Sequence, residues 1–220
     1  MAIKLVIFDL DGTLLNTIGD LAEAANHMLA QRGLPLHDYP TYCTFVGNGI
    51  MRLVERALPE ALRTAEYVAS ARRDFLDYYI QHIDLKTVPY AGIPELLAAL
   101  QQQGIRLAVA SNKFQAGTEK LIRSFFPDIH FEVVFGQRPD VPLKPDPAVV
   151  EEILALTGVA LSEVLYVGDS GVDMQTAHAA GLRVVGVTWG FRQREELLQA
   201  HADRLVDTAE ELRLEVARCQ

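Results

Sequence analysis

Short apolar segments alternate with helix-forming segments along most of this chain, and this alternation restricts the possible folds more than any other feature. Strands that are apolar on both faces belong to sheets covered on both sides. Regular alternation of such strands with helices predicts an α/β fold with a parallel sheet and right-handed crossovers. The five predicted strands span residues 3–8, 105–110, 131–135, 164–167 and 183–187.

The segments between these strands carry apolar residues at the spacing of a helix that packs on a sheet. Three of the predicted helices are followed by a glycine, which helices often use as a left-handed closing residue. A further helix is predicted over residues 208–218. The helices between strands span residues 94–103, 115–125, 147–157 and 173–180, and the closing glycines are Gly104, Gly158 and Gly181.

Residues 17–85 interrupt the alternation, because they contain no convincing strand. Apolar spacing of three and four indicates that this region is helical. The chain returns to the alternating pattern through a turn rich in proline and glycine at residues 88–92. We therefore predict a core of residues 1–16 and 86–220 with an inserted helical domain of residues 17–85. The helices predicted in the insertion span residues 21–31, 50–58 and 65–80.

The composition disfavours several classes of partner. The chain has 20 Lys and Arg against 29 Asp and Glu, a formal net charge of −9, which argues against nucleic acid and anionic membranes. No apolar run approaches the ~20 residues that span a bilayer, and the run at residues 3–8 is too short for a secretory signal. Cys43 and Cys219 match no metal-ligand spacing and are expected to be isolated thiols. We expect a soluble cytoplasmic protein.

Two carboxylates, Asp9 and Asp11, come directly after the first predicted strand. Carboxylates at the end of a buried strand are costly unless a cation pairs with them, and a hard divalent cation would do so. One of them could attack phosphorus as a covalent nucleophile while the other transfers protons. Gly12 permits a tight turn. Taken alone, the motif is equally compatible with a helix cap and a turn.

A second group of polar residues, Ser111, Asn112 and Lys113, follows the next predicted strand. Their hydroxyl, amide and ammonium suit an anion site that backbone N–H groups of the following helix would complete. Lys144 stands before Pro145, where a lysine could neutralise a phosphoryl group and an attacking carboxylate together. A helix cap and a surface lysine are the simpler interpretations of these motifs taken singly.

The fourth motif places Asp169 and Asp173 after the strand predicted at residues 164–167. An acidic loop favoured by a helix dipole is the alternative interpretation. The four motifs together are harder to explain that way, because each follows a predicted strand. Ligands bind outside the carboxyl ends of parallel strands, so the sequence predicts one site assembled at that edge of the sheet.

The combination resembles the haloacid dehalogenase-like hydrolase family over essentially the whole chain. This resemblance implies a Rossmann-like core with a helical cap domain inserted after the first strand, in agreement with the insertion predicted above. It also implies a Mg²⁺-dependent phosphatase. The residues that carry the resemblance are Asp9, Asp11, Gly12, Thr13, Ser111, Lys144, Gly168, Asp169 and Asp173.

The resemblance implies a role for each residue in phosphoryl transfer. Asp9 would be the nucleophile that forms an aspartyl-phosphate. Asp11 would protonate the leaving group and then activate water. Ser111 and Lys144 would assist as phosphate binders. The implied substrate-binding residues are Gly12, Ser111, Asn112 and Lys144.

The resemblance also implies a metal site. Asp169 would bind Mg²⁺ together with the side chain of Asp9 and the backbone carbonyl of Asp11. Asp173 would orient Lys144 or support the metal from behind its ligands. An aspartate at position 11 disfavours the dehalogenases of the family, which lack it, and the phosphonate-cleaving branch departs from this motif as well.

Within the family, residues 45–49, 53–58, 111–113 and 188–191 resemble phosphoglycolate phosphatases, which implies 2-phosphoglycolate as the substrate. The loop at residues 47–52 would then contact the leaving group. Arg52 is a candidate for meeting a substrate carboxylate, and a solvated helix residue is the alternative interpretation of it.

Three other functions share these motifs or this scaffold. A phosphosugar mutase similar to β-phosphoglucomutase and an inorganic pyrophosphatase of the same family both stay open, because the core motifs do not separate them. A non-catalytic binding protein is disfavoured, because the residues that would carry the chemistry are all present.

Overall fold

The structure, a computed structural model, describes residues 2–218. Six of its strands form one sheet in the order β5-β4-β1-β6-β7-β8, and every neighbouring pair in that sheet is parallel. The remaining two strands, β2 and β3, form a separate antiparallel pair. The strands are β1 (Leu5–Phe8), β2 (Leu15–Asn16), β3 (Val88–Pro89), β4 (Arg106–Phe114), β5 (Val133–Gln137), β6 (Val164–Gly168), β7 (Arg183–Val187) and β8 (Arg204–Val206).

The helices alternate with the strands of the large sheet, except that four of them lie between β2 and β3. This arrangement confirms the predicted α/β fold with a parallel sheet and a helical insertion. The helices are α1 (Ile18–Gln31), α2 (Tyr39–Phe45), α3 (Gly49–Ala57), α4 (Ala65–His82), α5 (Ile93–Gln102), α6 (Gln115–Phe125), α7 (Ala148–Thr157), α8 (Gly171–Ala179), α9 (Arg194–Gln199) and α10 (Ala209–Arg218).

Strand β1 shows why the central strands are apolar on both faces. Its side chains alternate between two hydrophobic clusters, with Leu5 and Ile7 in one and Val6 and Phe8 in the other. All four are fully buried. Successive side chains of a strand point to opposite faces, so helices cover the sheet on both sides.

The helical insertion is tied to the core where the chain leaves and re-enters it. Strands β2 and β3 pair at this junction. Asp20, in the first turn of α1, accepts hydrogen bonds from the backbone N–H groups of Lys86 and Thr87, each at 2.8 Å. The division at residues 17–85 into core and cap domain stays a prediction.

Five short elements were not predicted: α2, α9, β2, β3 and β8. Helix α2 buries only Tyr42 and begins with a local cap, in which the carboxylate of Asp38 accepts a hydrogen bond from the N–H of Thr41 at 2.9 Å. Two turns of helix and a three-residue strand carry too little apolar periodicity to be recognised from the sequence.

The helices of residues 2–218 include none that is both long and apolar enough to cross a membrane. Cys43 is a free thiol. Cys219, the second predicted isolated thiol, lies outside the described residues.

Candidate active site

Three neighbouring strands bring the predicted polar residues to one edge of the sheet. Asp9 follows β1, and Asp169 follows β6, which pairs with β1. Ser111 lies on β4, which pairs with β1 on its other side. Parallel strands end at the same edge, and these three residues line one narrow cavity of about 40 Å³ together with Asp11 and Lys144.

Lys144 is at the centre of a buried ion network. Its ammonium lies 3.0 Å from Asp9 Oδ1 and 2.7 Å from Asp173 Oδ1. It also donates to the carbonyl oxygen of Ala110 at 2.8 Å and to the phenol oxygen of Tyr166 at 3.1 Å. Burial by itself lowers the pKa of Lys144, but the neighbouring carboxylates outweigh burial and hold that pKa well above its ordinary value. Lys144 is therefore a fixed cation beside Asp9.

Three carboxylates gather against this one ammonium. Oxygens of Asp9, Asp169 and Asp173 lie within 4.8 Å of one another. Burial, followed by the charge of Asp173, raises the pKa of Asp9 to about 7. Burial, followed by the charges of Asp173 and Asp9, raises the pKa of Asp169 well above its usual range. The local excess of negative charge is what a divalent cation with oxygen ligands would offset.

Both carboxylate oxygens of Asp173 are already engaged by the protein. Its Oδ1 accepts from Lys144 at 2.7 Å and from the phenol of Tyr166 at 3.2 Å. Its Oδ2 accepts from the N–H and the hydroxyl of Ser170, at 3.1 and 2.6 Å, in a capping box at the start of α8. Asp173 is thus built to hold Lys144 rather than to bind a cation directly.

Asp169 and Asp9 each keep one oxygen available. Asp169 Oδ2 accepts from the backbone N–H of Phe191 at 2.7 Å, and Asp9 Oδ1 faces Lys144. Among residues 2–218, no side-chain or backbone donor forms a hydrogen bond with the second oxygen of either carboxylate. Two free carboxylate oxygens, on two mostly buried residues at the ends of neighbouring strands, fit a Mg²⁺ ion, which prefers such ligands.

Two glycines allow the chain to approach Asp169 closely. A Cβ on Gly12 would lie 2.3 Å from Asp169 Oδ2, and one on Gly190 would lie 2.3 Å from Asp169 Cβ. Gly12 also has a φ of 93°, which other residues rarely adopt. The structure therefore accounts for Gly12 through Asp169, and contact of Gly12 with substrate stays a prediction.

The anion motif lies within β4 and not beyond its end, because β4 continues to Phe114. The pairing of β4 with β5 shifts register between Ala110 and Phe114. Such an irregularity redirects side chains near functional sites. It brings Ser111 to the wall of the cavity.

Asn112 connects two loops instead of leaving its amide free. Its Nδ2 donates to the carbonyl oxygens of Gly47 and Lys144, each at 3.0 Å. Its Oδ1 accepts from the backbone N–H of Lys144 at 2.9 Å. The side chain therefore fixes the Lys144 loop against the helical insertion, and its predicted contact with substrate stays a prediction.

A second buried ion pair joins Lys113 to Asp11. The ammonium lies 3.1 and 3.3 Å from the two carboxylate oxygens, and it donates to the phenol oxygen of Tyr79 at 2.6 Å. Burial, with the charges of Asp11 and Asp20, raises the pKa of Tyr79 well above its usual value. The phenol is therefore a neutral acceptor in this group.

The helical insertion forms the opposite wall of the cavity. Arg192, in the loop after β7, also lines it and reaches across to donate to the backbone carbonyls of Cys43 and Val46. This one core side chain thereby fixes the loop between α2 and α3. The insertion residues that line the cavity are Leu21, Val46, Gly47, Gly49, Ile50 and Leu53.

Arg52 does not line this cavity. It forms an ion pair with Glu55 at 2.5 Å, and its side chain is 62% exposed. The solvated-residue interpretation of Arg52 is the one that agrees with the structure. The guanidinium that reaches the cavity belongs to Arg192.

Sequence reasoning missed Tyr79, Tyr166 and Arg192. Tyr166 carries a weak signal, since it is the one polar side chain in the apolar strand at residues 164–167. Arg192 comes directly after the stretch at residues 188–191 that resembled a known subgroup. Tyr79 carries no signal, because it lies on the apolar stripe of α4, and its partner Lys113 is 34 positions away.

One protein family matches most of this chain. The family model described as haloacid dehalogenase-like hydrolase matches residues 6–187. The chain belongs to that family. The matched range contains Asp9, Ser111, Lys144, Asp169 and Asp173.

Individual relatives match nearly the whole chain. It is 37% identical to the phosphoglycolate phosphatase of Mesorhizobium japonicum over 88% of this chain and 86% of that one. It is 34% identical to the phosphoglycolate phosphatase of Thiobacillus denitrificans over 99% of this chain and 97% of that one. A crystal structure from Lactobacillus delbrueckii subsp. bulgaricus, provisionally assigned as a phosphoglycolate phosphatase, is 33% identical to this chain. The two superpose with a TM-score of 0.93 over 98% of this chain and 99% of that one.

The family and these relatives identify the chain as a phosphatase that acts on a small phosphoester. Its sheet and inserted helices are those of a haloacid dehalogenase-like hydrolase.

Proposed function

We propose that this phosphatase hydrolyses 2-phosphoglycolate with the help of Mg²⁺, through an aspartyl-phosphate on Asp9. The observation that carries the proposal is the position of Asp9. Its carboxylate lies 3.0 Å from the Lys144 ammonium and next to the carboxylate of Asp169, at the wall of the narrow cavity.

The residues that would hold Mg²⁺ are Asp9 and Asp169 through their free carboxylate oxygens, with the backbone carbonyl of Asp11 as a further ligand. When bound, the ion offsets the repulsion between the Asp9 carboxylate and the anionic phosphoester. Asp173 has no part in direct binding in this proposal, because its oxygens hold Lys144 and Ser170.

Asp9 attacks phosphorus, and the bond between phosphorus and the leaving oxygen breaks. Asp11 gives a proton to that oxygen, so the product leaves as an alcohol. Lys144 and the hydroxyl of Ser111 bind phosphoryl oxygens during the transfer. Water then attacks the aspartyl-phosphate, Asp11 takes a proton from that water, and inorganic phosphate and free Asp9 are formed.

Three observations support a small carboxylate-bearing leaving group. The cavity is narrow and has the insertion as one wall, which disfavours a bulky leaving group such as a hexose. Gly47 and Gly49 bring backbone to its wall without side chains, and Arg192 adds a guanidinium. Curated relatives that match nearly the whole chain are phosphoglycolate phosphatases.

The proposed substrate is tested by comparing kcat/KM for phosphate esters, pyrophosphate and a phosphonate, all in the presence of Mg²⁺. We expect 2-phosphoglycolate to exceed glucose phosphates, pyrophosphate and phosphonoacetaldehyde, because specificity is a difference in transition-state binding. Isomerisation of β-glucose 1-phosphate without phosphate release would replace the proposal with a mutase. A highest kcat/KM for pyrophosphate would keep the phosphatase and overturn the substrate.

A further inference from the structure

The Lys113–Asp11 ion pair is separate from the Lys144 network. Both oxygens of Asp11 face the Lys113 ammonium, at 3.1 and 3.3 Å. The Lys113 side chain is 2% exposed, and that of Asp11 is 14% exposed. Burying an ammonium this deeply costs free energy unless its hydrogens form hydrogen bonds. The partners of Lys113 therefore indicate its role.

Every donor of Lys113 is accounted for by protein atoms. An ammonium has three hydrogens, and its three acceptors here are the two oxygens of Asp11 and the phenol oxygen of Tyr79, the last at 2.6 Å. The ammonium also lies 4.9 Å from the centre of the Tyr79 ring. Lys113 therefore has no hydrogen left for a phosphoryl oxygen in this arrangement, although it lines the cavity.

The two partners of Lys113 belong to different parts of the molecule. Asp11 stands on the core after β1, and Tyr79 is fully buried in helix α4 of the insertion. The three residues form a continuous contact from the insertion through a core strand to the carboxyl group proposed as acid and base. A carboxyl held on both oxygens by one ammonium is fixed in orientation, and each of its oxygens still has a second lone-pair position for another partner.

We propose that Lys113 is a positioning residue that aims the carboxyl group of Asp11 at the leaving oxygen, and that Tyr79 fixes Lys113 from the helical insertion. The inference rests on the proposed function, in which Asp11 is the proton donor. Lys113 and Tyr79 contact neither substrate nor phosphorus and act only through Asp11.

A loss of proton donation can be distinguished from a loss of phosphate binding by comparing two substrates whose leaving groups differ in their need for a proton. p-Nitrophenyl phosphate releases a stable phenolate that needs little protonation, whereas an alkyl phosphate such as 2-phosphoglycolate releases an alkoxide that needs a proton. Asp11→Asn is expected to lower kcat/KM for the alkyl phosphate by about a hundredfold or more, and by much less for the aryl phosphate. Equal losses for both substrates would mean that Asp11 is not the acid and that the proposed function fails at that step.

Lys113→Met tests the inference itself. We expect kcat/KM for the alkyl phosphate to fall by about tenfold to a hundredfold, with a smaller loss for p-nitrophenyl phosphate and little change in KM. In the Asp11→Asn background, Lys113→Met should have little further effect, because the group it positions is gone. Equal losses for the two substrates, or losses that multiply in the double variant, would overturn the positioning role while leaving Asp11 as the acid.

Tyr79→Phe keeps the test informative if Lys113→Met does not fold. It removes one oxygen atom and leaves the ring in place. The expected result is a severalfold loss of kcat/KM that is again larger for the alkyl phosphate. Tyr42→Phe is the matched control, since Tyr42 is also fully buried in the insertion but donates to Asn26 at 2.8 Å. Equal activity of the Tyr79→Phe and Tyr42→Phe proteins would overturn the part assigned to Tyr79.

Discussion

Lys144 holds Asp9 and Asp173 on its single ammonium, at 3.0 and 2.7 Å respectively. The two carboxylates have different surroundings. Asp173 is fully buried and bonded on both oxygens, whereas Asp9 lines the cavity with one oxygen free. Asp173 thus fixes the cation, and the cation is presented to Asp9 and to whatever Asp9 attacks.

Replacing the proposed nucleophile should abolish turnover without unfolding the protein. Asp9→Asn is nearly isosteric, but an amide cannot form the aspartyl-phosphate, and we expect less than about a thousandth of wild-type phosphate release. Because the change removes one of three clustered carboxylates, its Tm in chelator should equal or exceed that of the wild type. Asp77→Asn, on an exposed part of α4, is the control. Substantial phosphate release by Asp9→Asn would rule out the assignment.

Metal removal should abolish activity, and Mg²⁺ should restore it. Ca²⁺ should be a poor substitute, because it favours more ligands at longer distances. An ion that binds only the folded state also stabilises it, by about 2.7 kcal/mol at a concentration 100 times its Kd. Mg²⁺ should therefore raise the Tm of the wild type and not that of Asp169→Asn. Full activity in chelator, or an equal rise in both proteins, would contradict the metal site.

The Lys144 network should be a large contributor to stability. Lys144→Met leaves buried carboxylates without their cation and is expected to lower the free energy of unfolding by about 3–5 kcal/mol. The additional change Asp173→Asn should recover part of that loss. Lys4→Met is the control, since Lys4 forms a surface pair with Glu163 and should cost no more than about 1 kcal/mol. Urea unfolding in chelator measures all three, and equal costs for Lys144 and Lys4 would refute the prediction.

The two arginines near the loop between α2 and α3 should behave differently. Arg192→Met removes the guanidinium that lines the cavity and bonds the Cys43 and Val46 carbonyls. We expect at least about a tenfold loss of kcat/KM for 2-phosphoglycolate, with a smaller loss for p-nitrophenyl phosphate. Arg52→Met should change neither by more than about twofold, because Arg52 is exposed and paired with Glu55. A larger loss of kcat/KM for Arg52→Met than for Arg192→Met would indicate that Arg52, and not Arg192, contacts the substrate.

Five of the six strands of the large sheet were predictable because each contains a local apolar run, and β7 was predicted with the bounds that the structure has. Strand β4 was predicted to end at residue 110 but continues to Phe114. The polar side chains at residues 111–113 are more typical of a loop than of a buried strand. The strand continues because Phe114 pairs with Gln137 of β5 after the register shift, and this pairing is not visible in the sequence. Short elements such as α2 were missed for the related reason that tertiary contacts, not periodicity, stabilise them.

The sequence by itself determined the fold class and which kinds of side chain would meet, because strand and helix periodicity are local and the ends of parallel strands share one edge. Only the tertiary structure decided which cation serves which carboxylate. Lys113 and Asp11 are 102 positions apart, and Arg192 reaches a carbonyl 149 positions away. No local pattern encodes such pairings, since they depend on how the insertion packs over the sheet and on which buried charges remain without another partner.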